Sequence, residues 1–191
     1  GRRLVVYEGP LRAKDCTWIS RWLDRTTDLS AVLPGGMTVG NFWPTSFGTE
    51  HLLLVGQSGT TITLQVLEPP EYFMVGSWTP KGTGSITLSS GTVLAAAAGD
   101  MLSESRDQLV LLVQDDASLR VLVLAPPAAP TGTAWTVAKN VTFPSLGGSY
   151  RGFACGDFWN ENRDHIAVAT TASGATRISF YEWNGMAFSM V

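Results

Sequence analysis

The chain has 191 residues, 45% of them hydrophobic and only 15% charged, with a formal net charge of −3. That length holds one sizeable core or two small ones, and the weakly acidic balance gives no electrostatic reason to expect nucleic acid or an anionic membrane surface as partner. No apolar run approaches the length of about 18 residues that a spanning helix needs, and two cysteines, Cys16 and Cys155, are too few for a disulfide scaffold.

The first predicted element is a strand over 4–8, stopped by Gly9-Pro10. Weak helical periodicity follows over 18–33. From there one pattern returns three times: a glycine, an Asp or Asn, an apolar pair, a polar stretch, an acid and an apolar run. It reads Gly40-Asn41-Phe42-Trp43 to Glu50-His51-Leu52, then Gly99-Asp100-Met101-Leu102 to Asp107-Gln108-Leu109, then Gly156-Asp157-Phe158-Trp159 to Asp164-His165-Ile166. The glycines lie 59 and then 57 residues apart. A second landmark keeps the same period: an apolar strand, a stop at Gly9-Pro10, Pro69-Pro70 or Pro126-Pro127, and then Trp18, Trp78 or Trp135.

Four strands fit each period. The first is small and apolar (92–100, 149–157), which suggests a crowded place such as strands converging on an axis. The second is the apolar run after the acid (51–55, 108–113, 165–169). The third alternates apolar and polar residues, as in 62–66. The fourth is expected to carry the Trp (72–79, 133–138, 186–191). Hairpin turns at 57–60, 115–118 and 172–175 join the second and third strands.

Four short strands per repeat, with a period above 50, predict an all-β chain and a β-propeller. The count is about three and a half blades: 1–35 as the last strands of a preceding blade, then 36–91, 92–148 and 149–191. That count does not close a ring, so the remaining blades come from another chain segment or a subunit; a β-sandwich or solenoid is the alternative. The start at Gly1, without initiator Met or signal pattern, reads as a mature or excised piece of something longer. Asn140-Val141-Thr142 is a glycosylation acceptor triplet. Such triplets are common by chance; it is the seven Trp with little Lys or Glu that point to an extracellular or lumenal setting.

The glycine–acid loops resemble the FG-GAP or VCBS-type blades of integrin α chains and many secreted proteins. The third copy, Gly156 to Val168, has the length and the ends of that family's loop. The resemblance implies a propeller and, in many members, a loop-bound Ca²⁺. Here the loop departs from the pattern: a calcium site needs six to eight oxygens, and Trp159 and His165 stand where carboxylates belong. No cofactor and no metal are therefore expected. Two loops share Glu104-Ser105-Arg106-Asp107 and Glu161-Asn162-Arg163-Asp164. Either Arg106 and Arg163 neutralise Asp100 and Asp157 with a forked bond and so brace the loop, or both arginines are solvated.

His51 and His165 share a repeat position with Gln108, which reads as a polar strand-edge site. Trp18, Trp78 and Trp135 repeat and read as packing between blades. Trp43, Trp159 and Trp183 are the binding candidates, stacking on a sugar or seating a partner loop, against the alternative that they cover gaps between blades. Cys155 replaces Ala98 and Val39 of the other copies, as a buried small residue. The expected function is a non-catalytic binding or scaffolding module for a protein or glycan partner. The alternatives are a propeller enzyme of lyase or glycosidase type and a purely structural fragment of a larger receptor or assembly.

Overall fold

The computed structural model describes residues 4–8, 19–24, 31–43, 50–69, 78–116, 118–161 and 163–191, the first two stretches as backbone only. All regular structure among them is β. Strands β1 (Leu4–Glu8) and β2 (Ile19–Asp24) form an antiparallel pair. Three four-stranded antiparallel meanders follow, which we call sheets one to three. Sheet one is β3 (Val32–Gly40), β4 (His51–Ser58), β5 (Thr61–Glu68) and β6 (Thr79–Thr87). Sheet two is β7 (Thr92–Gly99), β8 (Gln108–Asp115), β9 (Ser118–Ala125) and β10 (Thr136–Phe143). Sheet three is β11 (Ser149–Gly156), β12 (His165–Ala172), β13 (Ala175–Trp183) and β14 (Phe188–Met190).

Within the stretch expected to be weakly helical, residues 19–24 form β2 and β3 begins at Val32, ahead of the expected blade boundary at 36; residues 18 and 25–30 lie outside the described residues. Ile19, Trp22 and Leu23 stand at helical spacing, but pairing with β1 makes 19–24 a strand. The fourth strands also lie further on than expected. Trp78 and Trp135 precede β6 and β10 rather than sitting within them. Trp18 and Cys16 lie outside the described residues.

The sheets stack by their first strands, β3 along β7 and β7 along β11, where the small side chains of Ala95 to Ala98 permit close approach. No closed ring forms among the described residues. Each first strand carries a bulge, between Val93 and Ala95 and again between Tyr150 and Gly152, one period apart, with a longer one between Val32 and Met37. Bulges sharpen the local twist, so the first strand of each of these three sheets departs from a regular ladder. The hairpins use two-residue turns. Ser173 and Gly174 both have positive φ, 50° and 79°, the backbone of a type I′ turn that matches strand twist.

Two cores separate the three sheets. Between sheets one and two lie Leu53, Val55, Leu64, Val66, Leu109, Leu111, Leu122 and Leu124. Between two and three lie Val110, Leu112, Val121, Val123, Ile166, Val168 and Tyr181. Neighbours in sequence go to opposite cores, because side chains alternate across a strand. Each fully buried Leu or Val contributes about 1.5–3 kcal/mol, so these faces, rather than the strand hydrogen bonds, hold one sheet on the next.

Candidate functional site

The repeat acids of sheets two and three each reach back to the sheet before. Asp107 Oδ2 accepts the Asn41 amide at 2.6 Å, and the Asp107 amide donates to the Asn41 carbonyl at 3.0 Å. Asp164 Oδ2 accepts the Asp100 amide at 2.7 Å in the same way. The repeat glycine exists for this latch. A Cβ on Gly40 would stand 2.6 Å from Ala98 Cβ and 2.8 Å from Asp107 Oδ2. On Gly99 it would stand 2.6 Å from Asp164 Oδ2 and 2.9 Å from Cys155 Cβ. Only glycine leaves the room, and only a small residue, Ala98 or Cys155, fits opposite. Cys155 is a free thiol, and burial pushes it well above the usual thiol range.

Burial raises Asp107 and Asp164 above the ordinary carboxyl value, and the accepted amide pulls each the other way. Neighbouring acids add to the rise: Asp164, Asp100 and Glu50 act on Asp107, and Asp100 and Asp157 on Asp164. A row of carboxyls therefore lines one end of the stack.

Within each loop the first acid folds the chain on itself. Asp100 accepts the amides of Glu104 (2.8 Å) and Ser105 (3.1 Å), and Asp157 accepts that of Glu161 (2.8 Å). The arginine fork goes to a different acid from the one expected. Arg106 donates through Nε and Nη2 to Glu104, at 3.3 and 3.2 Å. Arg163 donates to Glu161, at 3.2 and 2.9 Å, and to Glu182. The Glu two residues upstream lies within easier reach than the Asp, whose carboxylate the loop amides have turned inward. Asp157 acts on Arg163 through charge, behind its hydrogen bonds to glutamate. Among the described residues the loop acids are engaged within the protein: Asp100 faces its own loop amides, the arginines hold Glu104 and Glu161, and Asp107 and Asp164 hold the neighbouring sheet.

His51, Gln108 and His165 are the first residues of β4, β8 and β12 and are buried there, at 1%, 0% and 2% exposure. Each braces its own loop. Gln108 accepts the Leu102 amide at 2.9 Å and donates to the Arg106 carbonyl at 2.6 Å. The imidazoles instead meet the loop indoles edge to face, His51 on Trp43 at 5.2 Å and His165 on Trp159 at 4.4 Å. The position is Gln where the loop carries Leu102 and His where it carries Trp. Burial lowers the His51 value, with Glu68 opposing and Lys81 adding.

The three candidate binding tryptophans separate. Trp43 is buried at 6% exposure, packed on Trp135 and donating its indole N–H to the Pro127 carbonyl at 2.7 Å. It fastens sheet one to sheet two and offers nothing to a ligand. Trp183 is half-buried on Phe188, with the Lys139 ammonium 5.5 Å from its ring, a contact between sheets three and two. Trp159 alone is open, at 45% exposure. It shares an aromatic cluster with Phe158 and Phe180, at 6.3 and 4.9 Å. Ile178, 60% exposed, is on the same face of the sheet as Phe180.

Sequence reasoning missed Phe158, Ile178 and Phe180. The signal was present as period and parity: Leu64, Val121 and Ile178 stand 57 residues apart, as do Val66, Val123 and Phe180. No protein family and no curated protein matches this chain.

Proposed function

We propose that the chain is a non-catalytic scaffolding and binding module of the β-propeller type, built from FG-GAP-like repeats and working in an extracellular or lumenal setting. The observation that carries this reading is the use made of the repeat acids. Asp107 and Asp164 are repeat acids raised by burial, and both hold the backbone of a neighbouring sheet. The binding surface is the outer face of sheet three, with Phe158, Trp159, Ile178 and Phe180. The same face carries Thr171, Thr176 and Glu182, but the two threonines bond each other and Glu182 holds Arg163, so its exposed apolar side chains are less engaged than its polar ones. That balance favours a protein partner over a glycan.

Two substitutions test the scaffold. Asp107→Ala leaves the Asn41 amide without its acceptor and is expected to lose about 1–3 kcal/mol of unfolding free energy. Asp107→Asn keeps an acceptor oxygen and is expected to retain most of that stability. Chemical denaturation measures both. Unchanged stability in the Ala variant would overturn the latch.

A further inference from the structure

The two internal interfaces define what the third outer face takes. At four repeat positions on that face, sheet one carries Leu53, Val55, Leu64 and Val66, all at most 1% exposed. Sheet two carries Val110, Leu112, Val121 and Val123, also at most 1% exposed. Sheet three keeps the same positions apolar, as Ala167, Ala169, Ile178 and Phe180, yet none is buried and Ile178 is 60% exposed. The loop residues show the same break. Phe42 is 0% and Met101 6% exposed, whereas Phe158 in the same place is 46% exposed. Contiguous exposed apolar surface of this kind marks an interaction site.

The glycine position adds a polar feature to the match. Beside Gly40 and Gly99 stand a small side chain and the carboxylate of the next sheet. Beside Gly156 a Cβ would meet only Phe158 of its own loop, at 3.8 Å. The slot that receives an acid in two sheets is open in the third.

We infer that the outer face of sheet three docks one further sheet of this same repeat. That sheet lays an apolar face over Ala167, Ala169, Ile178 and Phe180, covers Phe158 and Trp159, and brings a carboxylate and a small residue against Gly156. The inference rests on the proposed binding role of this face and names its occupant. A glycan or an unrelated peptide satisfies the apolar face but leaves the carboxylate slot without purpose.

The experiment supplies the sheet. A copy of residues 139–191 is continued directly after Val191, so that its first residues complete β14 and the remainder forms a fourth sheet. In the copy, Trp159→Phe leaves the original Trp159 as the reporter. Acrylamide quenching of Trp159, assigned by difference against a Trp159→Phe control, is expected to drop to the level of a buried indole. Gly156→Ala is expected to be silent in the 191-residue chain and to lower the thermal midpoint of the extended protein by about 2–10 °C. An extended protein in which Trp159 stays quenchable and Gly156→Ala stays silent overturns the inference, whether or not the added strands fold. Shielding of Trp159 that grows with concentration of the 191-residue chain also overturns it, assigning the face to a second copy while leaving its binding role intact. The scaffold reading fails separately, through Asp107→Ala in the unextended chain.

Discussion

At the scale of single residues, the repeat is a contract between a glycine and an acid one sheet apart, and its terms are steric and electrostatic. Gly99→Ala forces a methyl group against Asp164 and Cys155 and is expected to cost about 1–3 kcal/mol by overpacking. Gly156→Ala, the same change in the same repeat position, is expected to cost far less. Thermal unfolding of the two variants side by side checks this, and equal losses would contradict the open slot. The acids add a pH signature. Burial raises Asp107 and Asp164 above the ordinary value of 3.8, so between 3.8 and the raised values the folded chain binds more protons than the unfolded one. Their contribution to stability is full below the ordinary value and is lost as pH rises through the raised ones. The Asp107→Asn, Asp164→Asn double variant should therefore show a flatter fall in thermal midpoint across that window than the parent. Superimposable profiles would contradict the assignment.

At the scale of elements, the second and third strands of every sheet were legible, because apolar runs and alternation report burial directly. So were the turns, through Gly59 and Ser173-Gly174. The fourth strands were not. β6 reads Thr-Pro-Lys-Gly-Thr-Gly-Ser-Ile-Thr, which has the composition of a loop, yet it pairs along the whole of β5. An outer strand tolerates the missing Pro80 donor, and its glycines serve the next sheet. A Cβ on Gly84 would stand 2.4 Å from the Trp135 ring, so the loop before β10 lies across it. No local pattern announces a glycine required by a residue some fifty positions away. The loop arginines show the same limit: spacing placed Arg106 and Arg163 beside acids without saying which acid each would hold. Their ion pairs are solvent-exposed, and such pairs add little. Arg163→Ala is expected to leave the thermal midpoint within the scatter of repeat measurements. A clear drop would show that the Glu161–Arg163–Glu182 cluster braces the loop after all.

At the scale of the whole molecule, the sheets meet along their first strands, and the fourth strand lies at the opposite edge of each sheet. Asn140 lies exposed on β10, where an attached glycan clashes with neither core. Expression through a secretory pathway is expected to add a glycan there, seen as a mass difference that Asn140→Gln removes. An unmodified mass in that setting would count against the extracellular assignment.

The backward reach of each acid has one more consequence. Every junction is made by a later sheet gripping an earlier one, so the stack behaves as a one-dimensional lattice with directed nearest-neighbour couplings. Sheet two is gripped through its loop and grips through its acid. Among the described sheets, sheet two alone has a latch on both sides, so amide exchange is expected to be slowest in β8 and β9, as in a row of tiles where the middle one is held by both neighbours.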